Sequence, residues 1–98
     1  MYKGYLKQKL LQEMTLSFMQ GFFYDYLKNC DKFFLGILFE EKSSIPVCVT
    51  LFEKIDDNIK KELKRYDFRE CEFIDDFLRM ITDFRTLVCS IASELGYL

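Results

Sequence analysis

Phe33-Phe34-Leu35-Gly36-Ile37-Leu38-Phe39 and Pro46-Val47-Cys48-Val49-Thr50-Leu51-Phe52, separated by Glu40-Glu41-Lys42-Ser43-Ser44-Ile45, decide what kind of fold this chain has. The first run has no helical polar face and the second is rich in β-branched residues, so the two can pair as a hairpin. Read as helix instead, Asp31 caps a short helix over 32–42 and Pro46 suits the first turn of the next one. A two-stranded hairpin is marginal in water unless other elements pack on it. The only third strand in view is 66–73, and a helix start explains that segment better. The expectation is therefore all-α: a small antiparallel bundle of three long helices and one short one. An α+β fold with a hairpin at 33–39/46–52 is the alternative.

Downstream, Asp67-Phe68-Arg69-Glu70 has the capping-box pattern, with Tyr66 and Cys71 placed to staple it. Ile74, Phe77, Ile81, Phe84, Val88, Ile91 and Leu95 then recur at steps of three and four, which predicts one amphipathic helix over 68–95 with Gly96 as its left-handed stop. Phe73, Met80 and Leu87 widen the apolar stripe beyond a two-stranded seam. Arg79 is spaced to pair with Asp76 and Asp83 on the polar side.

Between the two regions, Leu51 or Phe52, Ile55, Ile59, Leu63 and Tyr66 draw a helical face over 51–66. Its acidic residues Glu53, Asp56 and Asp57 come first and its basic residues Lys60, Lys61, Lys64 and Arg65 last, the order that suits a helix dipole. Asp56–Lys60 and Asp57–Lys61 are spaced for i+4 pairs.

Toward the N-terminus, residues 3–29 read as one long helix or two stacked pieces. Leu6, Leu10, Met14, Phe18, Phe22 and Tyr26 form one i+4 row, and Leu16, Met19, Phe23 and Leu27 a second beside it. Two adjacent rows are more apolar surface than the remaining helices can cover. Leu16, Phe18, Met19, Phe22, Phe23 and Tyr26 are accordingly the candidate protein interface, with a symmetric homodimer as the simplest arrangement. Gly21, inside this helix, marks a bend or a close approach of another backbone.

Ninety-eight residues, half of them apolar, support a single helical domain over 1–98. No export signal is visible at the N-terminus. The longest apolar run, seven residues at 33–39, falls far short of the roughly 20 that span a bilayer, so a cytoplasmic location is expected.

The absence of histidine removes Ser-His-Asp and Cys-His catalysis. Cys30, Cys48, Cys71 and Cys89 are scattered without metal-ligand spacing and are read as reduced thiols, three of them in the core. The carboxylate pairs Glu40-Glu41, Asp56-Asp57 and Asp75-Asp76 fall on polar faces, and the glycines stand singly. No cofactor, no metal and no enzyme activity is expected.

What remains is a protein-binding module, self-associating, that regulates or inhibits a larger partner or serves as a subunit of an assembly. The alternative is a nucleic-acid-associated factor using Lys60, Lys61, Lys64, Arg65 and Arg69. A net charge of −2 and the acidic residues of 67–76 oppose it.

Overall fold

In the computed structural model the chain runs α1 (Tyr2–Leu27), β1 (Phe33–Phe39), β2 (Pro46–Lys54), β3 (Lys60–Asp67), a 3-10 turn (Phe68–Glu70) and α2 (Ile74–Glu94). The structure describes residues 2–98, with side chains from Gly4 and Lys7 onward except Tyr5 and Leu6. The place given to Leu6 in the apolar row lies outside the described residues. The fold is α+β, two helices and a three-stranded antiparallel sheet in the order β1-β2-β3, which overturns the all-helical bundle.

The hairpin of the alternative reading is present. β1 pairs with β2 from Phe33↔Glu53 to Leu38↔Cys48, and the loop between them is closed by Glu40 N–H donating to the Ile45 carbonyl at 2.7 Å. The objection that two strands are too few is met by a third. The helix expected over 51–66 is instead the end of β2, a turn and β3, because Asp56 Oδ1 accepts from the N–H groups of Asn58 and Ile59 at 2.8 and 2.9 Å. That side chain–backbone turn reverses the chain within Ile55-Asp56-Asp57-Asn58-Ile59. Ile55 and Ile59, expected in a helical core stripe, are 54% and 56% exposed at the turn.

β3 itself reads Lys-Lys-Glu-Leu-Lys-Arg-Tyr-Asp, residues that favour a helix in isolation. Pairing with β2, which is buried from Pro46 to Leu51, overrides that preference. Neither the Asp56–Lys60 nor the Asp57–Lys61 pair forms the expected contact, since Lys54 approaches Asp57 instead at 3.8 Å.

Both helices lie on one face of the sheet. Phe33, Val49, Leu51 and Tyr66 from that face meet Leu16, Met19 and Leu27 of α1 and Phe77, Phe84, Val88 and Ala92 of α2 in one core. Tyr66 stands edge-on to Phe84, ring centres 5.7 Å apart, and its hydroxyl donates to Asp83 at 2.6 Å. Asp83 is thereby engaged by Tyr66, while Arg79 pairs with Asp76 as expected. Polar groups also fasten α1. Gln8 donates to the Cys71 carbonyl at 2.9 Å and the buried Gln12 to that of Pro46 at 3.1 Å.

The C-terminal helix starts later than its capping pattern indicates. Asp67 caps only the 3-10 turn, accepting from Arg69 N–H at 3.0 Å, and Cys71 leaves it in extended conformation. Asp76 organises the true start, accepting from the N–H groups of Glu72 and Phe73 at 2.9 and 3.0 Å. The far end is as expected. Gly96 has φ +80° and donates to Ser93, while Tyr97 N–H reaches the Ala92 carbonyl at 2.8 Å, a Schellman closure.

The backbone hydrogen bonds from Phe73 and Glu72, then Arg79, hold the Asp76 carboxyl below its ordinary value of 3.8. Its contribution to stability is therefore present above that unfolded-state value and lost as pH falls through the lower folded one. Asp76→Asn should flatten the acid limb of the stability curve, measured by urea unfolding at stepped pH. Parallel curves for variant and wild type would remove Asp76 from that role.

Candidate protein-interaction surface

α1 is continuous from Tyr2 to Leu27, and a Cβ built on Gly21 meets nothing within 4 Å, so no other backbone comes close there. The six interface candidates of this helix do not share one environment. Met19 is fully buried and Leu16 is 9% exposed, both inside the core, which leaves them no surface to offer. Phe22, Phe23 and Tyr26 are half-buried and pack against that core, with the Arg85 guanidinium 5.5 Å from the centre of the Phe22 ring. Only Phe18 of the six projects outward, 51% exposed.

Phe18 has neighbours of its own kind. Leu10 and Met14, two turns and one turn before it, are 56% and 47% exposed. The three line a shallow groove with Glu13 and Ser17. The Phe18 ring also stacks toward Phe22 at 6.4 Å, so the row is braced at one end against the core. Leu10, Met14 and Phe18 belong to the i+4 row that periodicity shows, whereas Phe22 and Tyr26 further along it turn toward the core. The signal for the correct face was Gln8 and Gln12, whose amides mark the side of α1 that meets backbone carbonyls.

The five basic candidates are divided between two faces of the sheet. Arg65 and Arg69 flank Gly36, Leu38, Cys48, Thr50 and Phe52 on the face away from the helices, whereas Lys64 lies beside Asp83, Thr86, Leu87 and Ser90 of α2. Lys61 sits opposite Glu53. Lys60 caps the stacked Phe34 and Phe52 rings, 4.5 Å from the centre of Phe52. Arg65 and Arg69 are held by Glu62 and Asp67 at 2.9 and 2.7 Å. Five cations thus never gather into one stripe along which a phosphate backbone could run.

The groups weighed for chemistry are also dispersed. Glu40-Glu41 and Asp56-Asp57 occupy the two hairpin connections and Asp75-Asp76 the start of α2. Burial, with Asp76, Glu70 and Asp67 nearby, pushes the Cys71 thiol up to about 11, which keeps it protonated. Cys48 is buried, and Cys30 and Cys89 are half-buried. Among the described residues no three Cys, Asp or Glu converge as metal ligands, and no helix is long and apolar enough to cross a membrane.

Comparison with protein-family models, curated proteins and solved structures finds no match for this chain.

Proposed function

We propose that this chain is a non-enzymatic protein-interaction module, acting in the cytoplasm as a small regulator, inhibitor or assembly subunit of a larger protein. The observation that carries the proposal is the Leu10–Met14–Phe18 row, three large apolar side chains about half exposed along one line of a helix whose other face is core. Aromatic residues and Met are enriched at interface centres, and spacing at i, i+4 and i+8 matches an apolar stripe on a partner helix. Glu13 and Ser17 along the same groove supply a polar rim.

The test is site-specific photo-crosslinking in native cells. A photoreactive residue at Met14 or Phe18 is expected to capture the same protein, and one at Tyr24 or Thr82, exposed positions off the row, is not. Phe18→Glu should abolish the capture from Met14 while the far-ultraviolet circular dichroism stays unchanged. Equal capture from all four positions would sink the assignment of this row.

A further inference from the structure

β1 and β3 form the two edges of the sheet, and they differ in chemistry. β3 carries Lys60, Lys61, Glu62, Lys64, Arg65 and Asp67, and its register with β2 is broken at Leu51/Phe52. Charges and a bulge are the devices that keep an edge from pairing. β1 has seven residues without a charge, and its register breaks only at its end, between Leu38 and Phe39.

The backbone of β1 is set for a further strand. Lys54 N–H donates to the Lys32 carbonyl at 2.6 Å, so by the alternation of an antiparallel pair Phe34, Gly36 and Leu38 turn their polar groups toward β2. Phe33, Leu35 and Ile37 turn theirs outward, where no strand pairs among the described residues. Side chains point the same way. Leu51 and Val49, direct partners of Leu35 and Ile37 across the ladder, are fully buried, yet Leu35 and Ile37 on the same face are only half-buried. The helix layer covers β2 and stops short of the edge, leaving cover to come from beyond it.

We infer that a second copy of this chain supplies it, β1 pairing antiparallel with the partner's β1 about a two-fold axis at Gly36. In this register Leu35 faces the partner's Ile37 on the helix side, and Phe34 faces the partner's Leu38 on the other. Leu38, 55% exposed in the single chain, thereby gains an aromatic neighbour. At the axis Gly36 meets its own copy, so no like side chains collide where antiparallel backbones come closest. Just outside the strand, Lys32, half exposed and paired with Glu53 of its own chain at 3.1 Å, falls opposite the partner's Glu40, so that the acidic side chain meets a cation at both ends of the seam. A β3 edge from another copy would bring its charges and bulge to the contact instead. The symmetric pairing uses the same patch on both chains, so it closes at two and consumes the free edge of each.

This dimer goes beyond the α1 reading and uses none of Leu10, Met14 or Phe18, so the two can fail separately. Light scattering at micromolar concentration should give a dimer, and amide exchange followed by NMR should find the Leu35 and Ile37 N–H groups protected, with that protection fading on dilution. Leu38→Lys should weaken the dimer at least tenfold in Kd, whereas Phe18→Glu should leave it unchanged. A monomer throughout the concentration series overturns the inference. So does a dimer whose Leu35 and Ile37 amides exchange freely, or one that Phe18→Glu dissolves. If Leu38→Lys unfolds the chain, exchange in the wild type decides.

Discussion

Phe84→Ala is expected to lower the unfolding free energy by about 3–5 kcal/mol, the range for truncating a fully buried aromatic side chain. Phe84 has no exposed surface and sits where the two layers meet, packed edge-on against Tyr66 of β3. The expected loss has two parts: the transfer of the ring's apolar area and the void left between α2 and the sheet. The Tyr66 ring would lose its neighbour while its hydroxyl stays tied to Asp83, so the side chain cannot swing in to fill the space. Urea unfolding measures the effect. Arg79→Ala on the same helix removes only a surface pair with Asp76 and should fall within about 0.5 kcal/mol of wild type. Comparable small losses in both would mean that α2 presents a different face to the sheet.

The second large effect contrasts neighbours on α1. Met19→Ala should cost about 2–5 kcal/mol, because this side chain is fully buried between the helices and the sheet. Phe18→Ala, one residue earlier and half exposed, should change stability by no more than about 1 kcal/mol. The two measurements separate what α1 does for its own fold from what it offers to others. A large loss for Phe18→Ala in the isolated chain would return that ring to the core and remove the centre of the proposed docking row.

Tyr66 matters to this ordering for another reason. Burial, and then its hydrogen bond to Asp83, raises its hydroxyl well above the ordinary tyrosine range, so it serves as a proton-bearing link between β3 and α2. Buried groups such as this and Cys71 are parts of the core's wiring. Their perturbation has a structural cause, burial first in both.

Periodicity alone located two elements well. The i+4 rows of residues 3–29 correspond to α1, and the stripe Phe77, Phe84, Val88 corresponds to the buried face of α2, with Gly96 at its stop. In both cases the signal is local, since a helix satisfies its own backbone and its apolar spacing is written on one segment. Capping is legible as well, but the capping-box pattern at Asp67 belongs to the 3-10 turn and not to the long helix. Asp67 has the side chain and spacing of an N-cap and caps three residues, while the long helix is held at its start by Asp76 reaching back to Glu72 and Phe73.

What only the tertiary structure decided is the strand character of 33–67 and the division of surfaces that follows from it. Lys60 to Asp67 would accept a helix on local grounds, and its sorted charges imitate one. The backbone groups on its inner side pair with Cys48 to Lys54 across the Asp56-Asp57-Asn58 turn, and the spacing of the segment itself does not report that partnership. The Asp56-Asp57-Asn58 turn was written in the chain and masked by apolar residues at helical spacing on either side of it. The same limit applied to the interface. Spacing shows that α1 has two apolar rows, but which of them meets the core depends on where the sheet lies. Once the sheet buries Leu16 and Met19, Leu10, Met14 and Phe18 are left facing outward, and the uncharged edge of β1 exists only because those residues are a strand.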